Sequence, residues 1–455
     1  MLTYELKKKP GMPLYEALYR CIREDILAGV LTPGEKLPSK RALAQNLEVS
    51  KITVETAYSQ LLSEGYIRSS QRQGYFVEAL ERPAPAPAVF RLPREEKPSC
   101  RLDLTGGGVG QFPFSVWTKL QREVILDYGE SLLEPLPNRG VPELRRAIAQ
   151  HLAQFRGMQV DPENILIGAG TDFLYNLLIQ LLGRELTYAV EEPSYPKIRQ
   201  IYRSSGAATI SAPMDGRGVL PEVLDRADIL HLSPSHHFPT GLITPMSRRQ
   251  ELLERCRGFI IEDDYDSEFR FNAHPMSAMQ TMHPGKVIYM NTFSKTLAPS
   301  IRISYMVLPD KLMEAFQRKL GFYSCTVPSF EQYTLARFLT GGAFEKHINR
   351  MRKFYRAQRN ALLTALGECA FAEKITILEQ DAGLHFLVQA DTALSDRELT
   401  QLCARAGLRI QALGDFYHDS REDRHTLIVN YSGLGREDFA AAMEALEEEV
   451  KNASL

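Results

Sequence analysis

The sequence has no long apolar run. Nothing in it approaches the roughly eighteen residues that a membrane-spanning helix needs. The first residues, MLTYELKKKPGM, bring three lysines with no apolar segment behind them, so no signal peptide is expected and a cytoplasmic location is. Six cysteines stand far apart, at 21, 100, 256, 325, 369 and 403, without a C-x-x-C pair. That argues against a disulfide framework and against a zinc ribbon. Charge of one sign is also missing: the net charge is −2. Residues 1–80 carry 11 Lys and Arg against 9 Asp and Glu, and the remainder 43 against 47, a slight pointer to an acidic partner at the N-terminus. No internal repeat is visible. What is present is a chain of 455 residues, 44% hydrophobic and 24% charged, which reads as globular with two or three domains.

Composition changes near residue 80. The stretch ALERPAPAPAVFRLPREEKPS alternates proline with alanine and carries charges of both signs. Proline excludes a regular helix or a central strand there, so it reads as a stiff spacer, with a surface loop as the plainer alternative. The expected division is a small domain at 1–78, a linker at 79–100 and a large domain at 101–455.

The small domain has clear helical signals. Residues 13–28 begin at Pro13, place apolar side chains at 15, 18, 19, 22 and 26, and end before Gly29. Ser39 can cap a short helix, KRALAQNL, and Ser50 a second one with an apolar stripe at 54, 57, 58, 61 and 62. YIRSSQRQGYFV then reads as a hairpin turning near Gly74. Two short helices and a ribbon suit a winged helix-turn-helix, whose second helix docks its first residues in the DNA major groove. A small protein-binding or dimerisation domain would show the same periodicity. The segment LPSKRALAQNLEVSKITVETAYSQLLSEGYI resembles the DNA-binding domain of the GntR family. That resemblance implies an operator-binding role for Arg41, Ser50, Lys51, Thr53, Arg72 and Gly74. Lys51 stands where arginine is usual; it suits phosphate contact but cannot make arginine's two-pronged fork to a base.

In the large domain, apolar runs at Ile165–Ile167, Leu186–Val190, Ile229–Leu232, Phe259–Ile261 and Val287–Met290 alternate with helical patterns. This predicts a buried, mostly parallel sheet flanked by helices, with ligands at the carboxyl ends of the strands. After the runs come, in order, GAGTDFLYNLLIQLL, EEPSYP, SPSHHFPTG, EDDYDSEF and TFSKTLAPSIR. Each is weak alone. Glycines before a helix are common, Tyr195 in EEPSYP can be a packing residue, and an acidic loop is usually solvated. The paired histidines lack metal-ligand spacing, and the acidic loop lacks the EF-hand pattern, so no metal is expected.

Together they suit one ligand. Lysine forms a Schiff base with an aldehyde. A phosphate needs N–H donors, hydroxyls and an arginine, each charge-assisted bond being worth roughly 1.5–3 kcal/mol. A pyridine ring used as an electron sink needs a carboxylate against its nitrogen and a flat surface to stack on. Pyridoxal 5′-phosphate (PLP) meets every requirement.

The order of these parts resembles the fold type I aminotransferases. With the N-terminal segment, the whole chain resembles the MocR family, GntR-type regulators fused to an aminotransferase-like domain; EPLPNRGVPELRRAIAQHLAQFRGM, IEDDYDSEFRF and TFSKTLAPSIRISYMVLP carry the match. The resemblance implies an α/β chain with an N-terminal winged helix-turn-helix, a mostly parallel central sheet and a smaller C-terminal α+β subdomain. It implies that Lys295 bears the aldimine, Asp263 pairs with the pyridine nitrogen, Tyr265 bonds the phenolic oxygen and Tyr195 stacks on the ring. Gly170, Thr171, Thr292 and Arg302 would hold the phosphate, and the protein would be a homodimer.

Two residues depart from the aminotransferase pattern. Phe238 replaces the asparagine before PTG. In TLIVNYSGL, Ile428 stands about where the substrate-carboxylate arginine belongs, with Arg424 or Lys197 as conceivable substitutes. The expected function is a PLP-dependent regulator of transcription that binds a DNA operator and senses PLP, or an amine or amino acid, through Lys295. Because the arginine is missing, PLP itself is the favoured effector, as in family members that control vitamin B6 synthesis. The alternatives are an active aminotransferase with an appended DNA-binding domain, and a PLP-binding structural or storage protein.

Overall fold

A computed structural model describes residues 2–4, 6, 13–71, 73–79, 100, 102–106, 111–269, 277–378, 383–419, 422–432 and 438–452. The chain forms two compact units, residues 1–97 and 98–455. Most of the Pro/Ala-rich stretch and Arg72 lie outside the described residues.

In the first unit, α1 (Leu14–Ala28) starts after Pro13 and ends at Gly29, whose φ of 78° is the left-handed C-cap the sequence asked for. The helix α2 (Lys40–Asn46) is capped by Ser39, which accepts from the Ala42 N–H at 3.2 Å. The helix α3 (Lys51–Ser63) is capped by Ser50, which accepts from the Thr53 N–H at 3.1 Å. Such a cap contributes about 1 kcal/mol. Helix α3 buries Val54, Ala57, Tyr58 and Leu61 against Leu18 and Ile22 of α1, leaving its opposite face in solvent. The antiparallel ribbon pairs β1 (Ile67–Ser70) with β2 (Gly74–Val77). Strand β1 runs on through Ser69 and Ser70, because backbone pairing to Tyr75 and Gly74 continues where hydrophobicity stops.

The second unit opens with β3 (Leu102–Asp103), α4 (Phe114–Tyr128) and α5 (Pro142–Arg156). The central sheet follows: β4 (Ile165–Gly168), α6 (Thr171–Leu182), β5 (Thr187–Glu192), α7 (Pro196–Ser204), β6 (Ala208–Asp215), β7 (Gly218–Val219), β8 (Ile229–Leu232), α8 (Met246–Arg255), β9 (Phe259–Asp263), α9 (Met279–Met282), β10 (Val287–Thr292), α10 (Phe293–Thr296) and β11 (Ser304–Val307). Its order is β4-β11-β10-β9-β8-β5-β6-β7. The five strands β6, β5, β8, β9 and β10 are mutually parallel, and β11 runs antiparallel between β10 and β4.

Alternation along each strand buries both faces. Ile229, Ile261 and Ile288 join the cluster of α6 and α7, while Leu230, Ile260 and Val287 join that of α8. The chain then runs through α11 (Asp310–Leu320), α12 (Ser329–Thr340) and α13 (Ala343–Glu368). A smaller α+β part follows: β12 (Ile375–Leu378), β13 (His385–Ala390), α14 (Asp396–Arg405), β14 (Leu408–Arg409), β15 (Gln411–Ala412), β16 (Thr426–Asn430) and α15 (Asp438–Asn452). Four of these strands form an antiparallel sheet, β12-β13-β16-β15.

Three parallel strands run past the apolar residues that mark them in the sequence. Strand β5 continues to Glu191 and Glu192, β9 to Asp263, and β10 to Asn291 and Thr292. All five are buried, and Glu191, Asp263 and Thr292 line one cleft.

Candidate functional site

The carboxyl ends of β5, β8, β9 and β10, the start of α6 and the edge of the C-terminal part enclose a cleft of about 610 Å³. Tyr195, Thr171, Asp263, Tyr265, Thr292, Lys295 and Arg302 all line it. Gly170 lies at its border as the N-cap of α6.

Lys295 sits in α10, one tight turn past β10. Its side chain opens into the cleft, and among the described residues no hydrogen bond or ion pair reaches its ammonium. The surrounding protein pushes the ammonium below its ordinary value, while Asp266 pulls the other way. The net lowering suits an amine that must be partly unprotonated to attack a carbonyl.

Asp263 ends β9 and is buried. Its Oδ2 accepts from the Tyr175 hydroxyl of α6 and lies 3.7 Å from His231 Nε2. His231 is turned by Tyr202, whose hydroxyl is 2.9 Å from Nδ1. The other oxygen, Oδ1, is buried with no partner. A buried orphan acceptor is costly, so the free oxygen marks a place where a donor belongs.

At the anion end, Gly170 has φ 89°, and a Cβ there would meet an Arg302 guanidinium nitrogen at 2.1 Å. Arg302 itself adopts φ 51° between β10 and β11, which turns its side chain back across the start of α6. The free N–H groups and dipole of a helix start favour an anion. That place is already contested. Asp172, in the first turn of α6, accepts from Arg302 at 3.2 Å and pairs with Lys197 at 2.6 Å. The Thr292 hydroxyl is tied to Ser294 N–H at 3.1 Å and to Ser304 Oγ at 2.8 Å, so it is a supporting group as much as a ligand. Ser294 Oγ, which the sequence reading passed over, is buried without a partner and lines the cleft.

Glu191 and His237 face each other below the cleft, with Nε2 to Oε2 at 3.5 Å. Burial pushes the Glu191 carboxyl up to about 8 and His237 down to about 3. Both are therefore neutral at pH 7, and the pair is not an ion pair.

Tyr195 is half in solvent at the cleft mouth, its ring centroid 6.1 Å from that of Phe238. Phe238 also meets Phe416 at 5.2 Å and His385 at 5.2 Å. Beneath it lies a small apolar cluster of Leu387, Phe416 and Ile428. Neither suggested substitute for a carboxylate clamp is free for the role. Lys197 is paired with Asp172, and Arg424 stacks on Tyr417 at 4.4 Å. Arg409 lines the cleft instead, held at 3.3 Å by Asp103, 306 residues away in sequence. No local motif could have announced it.

In the first unit, Arg41 and Lys51 are exposed, and the Ser50 and Thr53 hydroxyls are 2.8 Å apart at the start of α3. Ile52, 74% exposed, stands between Lys51 and Thr53. Gly74 begins β2 at φ 112°, a conformation that favours glycine.

The description "Aminotransferase class I and II" matches residues 104–451, and "Bacterial regulatory proteins, gntR family" matches residues 14–77. An uncharacterized HTH-type transcriptional regulator of Bacillus subtilis, YdeL, is 35% identical over 98% of both chains. The probable rhizopine catabolism regulatory protein MocR of Rhizobium meliloti is 32% identical, over 97% of this chain and 94% of that one. The HTH-type pyridoxine biosynthesis transcriptional regulator PdxR of Corynebacterium glutamicum is 31% identical over 88% of each. Among solved structures, α-aminoadipate aminotransferase LysN from Thermus thermophilus, complexed with N-(5′-phosphopyridoxyl)-L-leucine, superposes with a TM-score of 0.67 at 26% identity, covering 78% of this chain and 93% of that one.

The class I and II aminotransferase fold is PLP-dependent, and GntR-type regulators bind DNA. The cleft fits that cofactor at both ends: an orphaned carboxylate oxygen on Asp263 for a ring N–H, and an arginine over a glycine that leaves it room. Over nearly its whole length, the chain belongs to the MocR-type family of HTH transcriptional regulators, a GntR domain fused to an aminotransferase class I and II domain.

Proposed function

We propose that the protein is a cytoplasmic, homodimeric regulator whose second unit senses PLP and whose first unit binds a DNA operator. The observation that carries this reading is the contrast within one cleft. The groups suited to the cofactor's ring and phosphate are present, whereas the place for a substrate carboxylate is apolar: Ile428 is buried with Leu387 and Phe416, and Phe238 covers them. Among the described residues no cation packs with Ile428, and Arg409, which lines the cleft, is engaged by Asp103.

When bound, PLP supplies an electrophilic aldehyde and an electron-withdrawing ring. Lys295, which opens into the cleft, would be the amine that meets the aldehyde. Asp263 Oδ1 accepts the ring N–H, and Tyr175 holds the other carboxylate oxygen so that Oδ1 keeps its direction. Gly170, Thr171, Ser294 and Arg302 take the phosphate, with Thr292 in support. Tyr195 packs against the ring. Such binding changes operator affinity only through a difference in affinity for two arrangements of the protein. On the DNA side, Ser50, Lys51 and Thr53 at the start of α3, with Arg41, Arg72 and Gly74, contact the operator.

The test is operator binding by the purified protein as PLP is titrated, alongside its absorbance in wild type and Lys295→Ala. Operator affinity that moves with PLP supports the reading. Affinity that ignores PLP but responds to an amine or amino acid overturns PLP as the effector. A second reading, a working aminotransferase, is favoured by the unpaired Lys295 amine; steady turnover of an amino donor with a keto acid establishes it.

A further inference from the structure

Behind the cleft wall, His236, Asp266 and Tyr265 meet. His236 comes from the turn after β8, and Tyr265 and Asp266 from the loop after β9. His236 and Asp266 are both buried. His236 Nδ1 is 2.8 Å from Asp266 Oδ2 and 3.2 Å from the Tyr265 hydroxyl oxygen.

One nitrogen thus faces two oxygens, and their chemistry decides the protons. A carboxylate only accepts, so Nδ1 carries the hydrogen and directs it to Asp266. Tyr265 then cannot donate to that nitrogen. Its own hydrogen must point elsewhere, and the open direction is the cleft, which Tyr265 and Asp266 line.

On the far side of the ring, His236 Nε2 is buried with no hydrogen-bond partner. Gly383 makes room for the ring; a Cβ there would meet His236 Cε1 at 1.8 Å. The ring of His385, from β13, lies 4.9 Å away, and burial keeps it neutral, so it adds no charge. Among the described residues, neutral His237 lies beside His236, Lys295 and Tyr431 face Asp266, and Asp263, Asp264 and Glu191 face Tyr265.

We propose that His236 and Asp266 are a positioning pair that aims the Tyr265 hydroxyl into the cleft as a donor to the phenolic oxygen of bound cofactor, and so holds that oxygen in its anionic form. This rests on the PLP reading above. His236 does not line the cleft and acts through Tyr265; Asp266 lines it and also acts on Lys295 by charge.

The test is the pH titration of absorbance in the full-length protein loaded with PLP. His236→Gln removes the Nδ1 hydrogen. Asp266→Asn lets an amide donate to Nδ1 and reverses the tautomer. Tyr265→Phe removes the donor itself. Each single change is expected to raise the apparent pKa of the bound chromophore, by about one unit for a tenfold change in equilibrium. In the Tyr265→Phe background, His236→Gln is expected to add nothing. Asp266 also acts on Lys295 by charge, so for Asp266→Asn only the part lost in that background counts. PLP bound normally, with a titration unmoved by His236→Gln or fully additive with Tyr265→Phe, overturns the positioning role alone. No PLP absorbance in the wild type overturns the PLP reading and this role with it. If His236→Gln fails to fold, the Asp266→Asn pair of titrations decides.

Discussion

Phe238 lies over the apolar cluster that buries Ile428, so the two positions that depart from the aminotransferase pattern, 190 residues apart in sequence, are neighbours in one packed wall. They read as a single exchange of a polar subsite for an apolar one. Ile428→Arg alone places an unpaired cation in that wall and is expected to cost about 3–5 kcal/mol of stability. Combined with Phe238→Asn, it is expected to recover part of that cost in the presence of L-amino acids. Thermal unfolding with and without an amino acid, and loss of the PLP absorbance on adding one, check it.

Gly170→Ala forces a side chain into the Arg302 guanidinium and strains a φ of 89°. Losing that one charge-assisted contact is expected to weaken PLP binding by about 10- to 100-fold. Binding of pyridoxal, which lacks the phosphate, is expected to change little. Equilibrium titrations with both ligands separate an anion-site defect from general damage.

Asp172 draws on both Arg302 and Lys197. Asp172→Asn keeps the shape and removes the competing charge. Since the pair is partly exposed, the gain is small, roughly two- to five-fold tighter binding of PLP. Weaker binding in the variant would show that Asp172 orients Arg302 more than it competes with the phosphate.

Glu191 is held protonated by burial, with its pKa raised from 4.5 to about 8. The folded protein therefore binds a proton that the unfolded chain releases between those two values. Stability from this group is fully present at low pH and is lost as pH rises from about 4.5 through about 8. Glu191→Gln is expected to flatten that slope and to raise Tm most at alkaline pH. Melting curves across the range test it.

Lys51 is exposed at the start of α3, where DNA phosphates are expected. Lys51→Ala is expected to weaken binding to all duplexes alike and to reduce the log–log salt slope by about 0.9. A change in sequence preference without a change in slope would make Lys51 a base reader instead.

Much of the cleft was legible because chemistry-bearing residues sit directly after apolar runs. Asp263, Lys295 and Thr171 are each placed by the end of a strand that hydrophobicity alone marks. Strand β11 was missed because its four residues follow Arg302 with no intervening helix, so no alternation announces it. Strand β6 was missed because it is half exposed and carries Pro213. What could not be read came from convergence of distant segments. Arg409 reaches the cleft through a pairing with Asp103, and the orphan Ser294 hydroxyl is defined by what does not surround it. In the sequence His236 belongs to a histidine pair without metal-ligand spacing and Asp266 to an acidic loop; their partnership exists only once β8 and β9 lie side by side.

The carboxylate of Asp172 has a wider meaning. An enzyme gains from gripping its cofactor permanently. A gauge must release its ligand when the supply falls, and so needs an affinity near the concentration it reports. Under the proposed function, a built-in anion that contends for the same arginine would detune the site without removing a single donor, and one substitution there would reset the level at which the gauge trips.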